Sequence, residues 1–408
     1  MTSAARDVVI TGLGMVSPAG VGTAENWRRV CAGESTAAVD PELVDSPVGF
    51  SCRVPGFDAA ALLSRNEARR MDRCMQFAMV AAAEAIADAG LDPSSWDGAR
   101  VAVVMGSVIG GVSSFEAEYR RLARDGSSAV SPLMYPMCLP NMLAGRLAMK
   151  FGAHGPNLVT MTACASGATA IGMARDLLAL GRCDIAVAGG SEAMITPVCV
   201  AGYSRAGALS KRSNEPRRAS RPFDSGRDGF VIAEGSGVLV LERAADARAR
   251  RARSYARVAG YGASADAYHV TSPAPDGAGA ERAIREALAQ AGASPTQVEH
   301  VNAHATSTPI GDVVEAQLLR RVVGPQAAVT STKGVTGHTC GASGALAAGY
   351  TALAVYHGVI PPTANLDNLD PSIDLDIVAK SARHQPIELT LCDSFGFGGQ
   401  NAVLAIAR

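Results

Sequence analysis

Short, uniformly apolar runs alternate with alanine- and glycine-rich stretches along the chain, and the alternation runs through twice. "DVVITGLG", "RVAVVMGS", "NLVTMTA", "DIAVAGGSE" and "SGVLVLER" have the length and apolarity of strands covered on both faces. Among them, Arg69–Gly90 and Gly167–Gly181 carry helical spacing and stop at glycine. After the arginine-rich "ERAADARARRARSYARVAG" a second series follows: "ARVAGYGAS", the helix "GAERAIREALAQAG", "VEHVNAHAT", "AAVTSTKG", a helix from Ser343, "IDLDIVA" and "ELTLCDSFGFGGQNAVLAIAR". Such alternation specifies α/β layers. In each series a strand ends in a polar turn that opens an Ala/Gly-rich helix, "VTMTACASG" in one and "VTSTKGVTGHTCGASG" in the other. The parallel predicts two lobes, residues 1–250 and 251–408, meeting face to face with both turns near the seam.

Composition narrows the function. A net charge of −1 provides no field for nucleic acid or a membrane surface. Nine cysteines, an odd number with no CxxC pair, argue for free thiols in a reducing cytoplasm rather than a disulfide framework. The N-terminus enters a strand pattern within ten residues, leaving no space for a signal peptide, and the most apolar run, Ala342–Tyr356, reads as a buried helix. A soluble cytoplasmic protein is expected.

Two familiar motifs fall short. "VVITGLG" sets Gly12 and Gly14 after a strand, but the third glycine of a dinucleotide fingerprint is missing. "HVNAH" spaces His300 and His304 like zinc ligands on a helix, yet the segment reads as a strand end and lacks the glutamate of HExxH. Neither a dinucleotide cofactor nor a metal ligand set is expected.

Chemistry collects at the polar turns. Cys164 stands between a strand and a helix start, where unpaired N–H groups and the helix dipole favour thiolate. Its neighbours Ala163, Ala165, Ser166 and Gly167 leave room for a bulky substrate. His304 precedes Thr306, Ser307 and Thr308 and a helix bearing Asp312 and Glu315, while His338 follows Lys333 by five residues in a glycine-laced loop. One cysteine, two histidines and a lysine all sit at strand ends, where α/β folds assemble their sites.

These residues lie within "TACASG", "SRPFDSGRDGFVIAEGSGVLVLE", "SADAYHVTSP", "VNAHATSTPIGD", "STKGVTGH" and "CDSFGFGGQN". With these six motifs in order, the chain resembles the ketosynthases of the thiolase superfamily, most closely the β-ketoacyl-acyl carrier protein synthase II type. The resemblance implies an αβαβα layered sandwich built from two βαβαβαββ repeats. It implies that Cys164 takes an acyl group from an acyl carrier protein, and that His304 and His338 hold the malonyl thioester during decarboxylation. Backbone N–H groups of Cys164 and Phe397 would form an oxyanion hole, and Lys333, paired with Glu315, would shape the histidine field. Thr306 and Thr308 would bind the phosphopantetheine arm. Asp266 and the run Phe395, Gly396, Phe397, Gly398 and Gly399 would form gating loops. Ile109 would line the acyl pocket at a dimer interface. Arg69 and Arg70 would dock the acidic carrier, with Arg205 standing in for an arginine that Gly207 replaces. No cofactor is implied beyond the carrier's phosphopantetheine, and the partner is a second copy or a chain-length-factor-like subunit.

Ala305 and the pair Gly334-Val335 depart from the family's common residues, which bears on substrate and carrier preference. A noncatalytic chain-length factor would lack the cysteine. A coenzyme A thiolase would carry a second cysteine in the C-terminal glycine turn, and Cys392 precedes that turn in an apolar strand. A type III synthase would have asparagine in place of His338. Primary fatty-acid and type II polyketide pathways share all of these catalytic residues.

Overall fold

The computed structural model describes residues 7–408. The first half runs β1 (Val8–Ser17), α1 (Arg73–Asp88), β2 (Val101–Gly106), α2 (Met142–Phe151), β3 (Asn157–Thr160), α3 (Ser166–Ala179), β4 (Ile185–Glu192) and β5 (Gly235–Arg243). The second runs β6 (Ala256–Ala265), α4 (Ala278–Ala291), β7 (His300–Asn302), α5 (Gly311–Val322), β8 (Ala328–Thr330), α6 (Ser343–His357), β9 (Leu389–Gly396) and β10 (Gln400–Ala407). Strand order is β3-β2-β4-β5-β1 in one half and β8-β7-β9-β10-β6 in the other, the same permutation twice. In each half three parallel strands are followed by two antiparallel ones. The two sheets join where Val9 and Ile10 of β1 pair with Arg257 and Ala256 of β6. Of "IDLDIVA" only Asp376–Ile377 pairs, as a short edge beside β8.

Side-chain alternation builds the layers. Along β5, Val238 and Val240 face α1 and its apolar cluster, whereas Leu239 and Leu241 face the central helices. Along β10, Val403 and Ala405 face α4, whereas Leu404 and Ile406 face the centre. Helices α3 and α6 fill the space between the sheets, giving five layers. Their crossing is tight because both carry glycine there. A methyl on Gly167 would lie 2.7 Å from the Ala345 nitrogen, and one on Gly344 would lie 2.7 Å from the Ala168 nitrogen. No described helix is long and apolar enough to cross a membrane.

The glycines of "ITGLG" have a packing purpose. A methyl on Gly14 would fall 1.8 Å from the Ala81 carbonyl oxygen of α1, and one on Gly12 would fall 2.1 Å from that of Ala85. In the second half, methyls on Gly262 and Gly260 would each fall 1.9 Å from a carbonyl oxygen of α4, those of Ala283 and Ala287. The helix lies where a dinucleotide would have to approach. Gly14→Ala should therefore cost about 1–3 kcal/mol by overpacking. An unchanged urea midpoint in that variant would refute the close-approach account.

Candidate active site

The strand β3 ends at Thr160, and the chain turns through Thr162 and a single 3₁₀ turn, Ala163–Ala165, into α3. Ala163 takes a left-handed φ of 49°, and the turn is held by Ser166 Oγ, which donates to the Ala163 carbonyl at 2.6 Å and accepts the Thr162 N–H at 2.9 Å. This presents the Cys164 side chain at the floor of a cavity of about 340 Å³. The N–H of Phe397 and the residue's own N–H face its sulfur. The expected thiolate does not form at rest. Burial pushes the thiol up to about 11, and the Phe397 N–H, Lys333 and the Cys164 N–H offset only part of that.

The matching turn of the second half, Thr339 to Ser343, repeats this geometry. Cys340 has a φ of 47°, a 3₁₀ turn spans Cys340–Ala342, and α6 follows. Gly341 stands where Cys164 stands in the first half, and a side chain there would fall 2.5 Å from Glu192 Oε2. The second turn thus has no nucleophile and no space for one.

It supplies bases instead. His338 Nε2 lies 3.0 Å from Cys164 Sγ. Its backbone is fixed by the bond from its N–H to the Val231 carbonyl (2.8 Å) and by the Ala233 N–H (3.0 Å), while the Phe230 ring meets the imidazole edge-on at 5.2 Å. Burial, with Lys333 adding to it, pushes His338 down to about 3. His304 stands at 5.4 Å between ring centroids, nearly perpendicular to His338, and burial, Lys333 and His338 hold it well below the usual histidine range. Both rings are therefore neutral at physiological pH. Among the described residues neither Nδ1 atom meets a protein partner, and the protonated Cys164 leaves His338 Nε2 as the acceptor at rest.

The His304 turn is held by carboxylates. Glu315 accepts the N–H groups of His304 at 2.7 Å and Ala305 at 2.6 Å. Asp312, one turn earlier on α5, accepts those of Ser307 at 3.1 Å and Thr308 at 3.2 Å, and also that of Phe223 at 2.9 Å. This corrects the expected Lys333–Glu315 ion pair. No such contact falls within 4.0 Å among the described residues, and the buried Lys333 Nζ lies 3.5 Å from the Ala303 carbonyl. The two charges act on one another at longer range. Burial raises Glu315 to about 7 and lowers Lys333, each moderated by the other.

Thr306 and Thr308 line the cavity with their hydroxyls 3.3 Å apart. The segment Asp266–Val270 and the glycine-rich run Phe395–Gly399 are tied together: Asp266 N–H donates to the Gly399 carbonyl (2.8 Å), Asn401 Nδ2 to Asp266 Oδ1 (2.7 Å), and Gly398 N–H to the Val270 carbonyl (2.8 Å). Phe395, Gly396 and Phe397 line the cavity, and a methyl on Gly396 would fall 2.6 Å from the Thr162 carbonyl beside the nucleophile. Sequence reasoning missed Tyr203 and Phe230, which complete the apolar wall. Ile109 does not line this cavity. It is 42% exposed on the loop after β2, so within one chain it bounds no acyl pocket. Arg69 and Arg70 are exposed away from the lining, close to α2, where Arg146 Nη2 donates to the Arg70 carbonyl at 3.0 Å. Arg205 is exposed just before Ala206 and Gly207 of the cavity rim. His300 bonds Thr390 Oγ1 (2.9 Å), so it and His304 are not a ligand pair.

Residues 5–247 match the family model described as Beta-ketoacyl synthase, N-terminal domain, and residues 255–367 match Beta-ketoacyl synthase, C-terminal domain. The chain is 43% identical to a 3-oxoacyl-[acyl-carrier-protein] synthase 2 of Vibrio harveyi, over 99% of each chain. Among solved structures, the ishigamide ketosynthase/chain length factor matches with a TM-score of 0.91 at 32% identity, covering 98% of this chain and 99% of that one. A type II PKS acyl-carrier protein in complex with its ketosynthase bound to the hexaketide (AntDE:AntF) matches with a TM-score of 0.90 at 33% identity, with the same coverage.

Proposed function

The chain belongs to the β-ketoacyl synthase family, a condensing enzyme of the thiolase fold, and we propose that it elongates acyl chains through Cys164, His304 and His338. The observation that carries this reading is the neutral imidazole 3.0 Å from a half-buried thiol whose sulfur faces two backbone N–H groups. In the first half-reaction His338 takes the Cys164 proton as sulfur attacks the carrier-bound thioester, then gives it to the departing phosphopantetheine thiolate. The carbonyl oxygen, negative in the tetrahedral state, lies against the N–H groups of Cys164 and Phe397. In the second, malonyl-carrier protein loses CO₂ while the two imidazoles donate to its thioester oxygen. The enolate carbon attacks acyl-Cys164, the C–S bond breaks, and the thiolate regains a proton. His338 thus accepts in the first half-reaction and, with its proton on Nε2, donates in the second beside His304. Burial keeps both rings neutral, with Lys333 adding to it, and Glu315 positions His304. Thr306 and Thr308 hold the arm, while Asp266 and the Phe395–Gly399 run open and close the cavity.

A partner of the same fold completes the acyl pocket. The outer edge of β3 pairs with nothing among the described residues, and Phe115, Tyr119 and Leu122 stand exposed on one face of the helix Val112–Asp125. Such an edge and patch require a cover, which would also enclose Ile109. The partner is a second copy or a chain-length-factor-like subunit, for fatty-acid or type II polyketide elongation. All nine cysteines are free, which supports a reducing cytoplasm as the working compartment.

One experiment tests the reading: native and peptide mass spectrometry of the purified protein offered acyl-carrier proteins of varied chain length. A dimer carrying one acyl adduct per Cys164 is expected for the homodimer. A protein that acylates only with a coexpressed chain-length-factor-like subunit supports the heterodimer, and an adduct on any other residue overturns the mechanism. Arg69→Glu with Arg70→Glu should raise KM for acyl-carrier protein about tenfold or more while leaving acylation by a small thioester unchanged. Equal loss on both substrates would remove these arginines from the dock.

A further inference from the structure

The cluster that carries the condensation also has the composition of a metal site. The sulfur of Cys164 and one ring nitrogen each of His304 and His338 lie no more than 4.8 Å apart from one another. We propose that Cys164, His304 and His338 form a reversible binding site for a thiophilic divalent cation, Zn²⁺ above all, whose occupancy switches condensation off. The site is assigned from geometry; only its inhibitory consequence rests on the function proposed above.

Zinc holds thiolate sulfur at about 2.3 Å and imidazole nitrogen at about 2.0–2.1 Å, so neighbouring ligand atoms in a tetrahedron stand about 3.3–3.6 Å apart. The Cys164–His338 pair is already at 3.0 Å, and His304 needs to close by on the order of an ångström. Three protein ligands beside a cavity leave the fourth position to water or a thioester oxygen, the pattern of an open site rather than a structural one. On binding, the Cys164 proton leaves to solvent and the sulfur lone pair is given to the metal, so it no longer attacks a thioester.

Two features mark this as an inhibitory site and not that of a resident cofactor. Metal-bearing histidines normally donate their second N–H to a carboxylate or carbonyl, yet among the described residues Nδ1 of His304 and Nδ1 of His338 have no protein partner. The buried Lys333, five residues before His338, carries a charge that would oppose a second cation. The site differs from the sequence expectation of no metal ligands, which concerned the pair His300 and His304.

Titration of the full-length protein with Co²⁺ tests the proposal. One Co²⁺ per chain with a sulfur-to-metal charge-transfer band is expected, displaced by Zn²⁺, and condensation should fall with occupancy and return with EDTA. The band should vanish in Cys164→Ala and in wild-type protein alkylated at Cys164, which keeps its fold. His304→Ala should weaken Co²⁺ at least about tenfold. Absence of the band, its persistence after alkylation, or condensation that continues with the band fully developed would each overturn the proposal. Binding without a sulfur band would place the metal on exposed histidines such as His154, His269 or His384, and so also refutes it. If the protein condensed nothing under any condition, the spectrum would still decide whether the site exists.

Discussion

Cys164→Ala is expected to abolish chain elongation, with condensation falling by about 10³-fold or more and no acyl adduct in the intact mass. No other thiol can take over. Cys340, in the equivalent turn of the second half, is buried with its thiol pushed well above the ordinary range, and its neighbour Gly341 occupies the nucleophile position. Cys164→Gln separates the two halves of the chemistry. It removes the acyl carrier but leaves His304 and His338 in place, so release of CO₂ from malonyl-carrier protein should continue while elongation stops. A Cys164→Gln protein inert towards malonyl-carrier protein would show that the histidines do not drive decarboxylation, and elongation by Cys164→Ala would end the assignment of the nucleophile.

Glu315→Ala should produce the largest loss of stability, about 2–6 kcal/mol, from two buried backbone N–H groups that each cost about 1–3 kcal/mol when left without an acceptor. The carboxylate is 3% exposed and accepts the N–H groups of His304 and Ala305, so its removal leaves both without a side-chain partner. The effect should reach catalysis too, because those N–H groups belong to His304 and Ala305. Glu315→Gln tests this, since its single amide oxygen can accept one of the two bonds. It should unfold between wild type and Glu315→Ala in a urea titration and recover part of the kcat. If Glu315→Ala unfolded with the wild-type midpoint, the His304 turn would have to be held by Asp312 alone.

The residues that meet in the cavity were legible because the proposed chemistry restricts residue types and the fold restricts their place. Cys164, His304, His338 and Phe397 all lie in strand-end turns that the alternating pattern marks, and the repeated polar turn pointed to two lobes meeting at one site. What stayed hidden depends on distances between remote segments. The helix start favoured a thiolate at Cys164, but burial against the C-terminal half outweighs a few N–H dipoles. Opposite charges at Glu315 and Lys333 suggested an ion pair, whereas two backbone donors within reach claimed the carboxylate. Gly12 and Gly14 failed a cofactor pattern, and only the position of α1 shows what they accommodate. Glu192 had no signal at all in "GGSEAM". It is fully buried and pushed by burial up to about 8, with the N–H groups of Val108 (2.5 Å) and Gly341 and the Ser107 hydroxyl offsetting part of that rise.

The duplicated turn has a consequence for how such a gene can change. One turn carries the sulfur, and at the matching position of the other stands Gly341, with Lys333 and His338 just before it. Neither half alone holds the whole set, so each depends on the other across the crossing of α3 and α6. Recombination between related genes near codon 250 would leave both folds whole yet could part a sulfur from the bases that evolved beside it. The heritable unit of activity is therefore the contact between halves, with Gly167 against Ala345 and Gly344 against Ala168 as the joint that must pass through together.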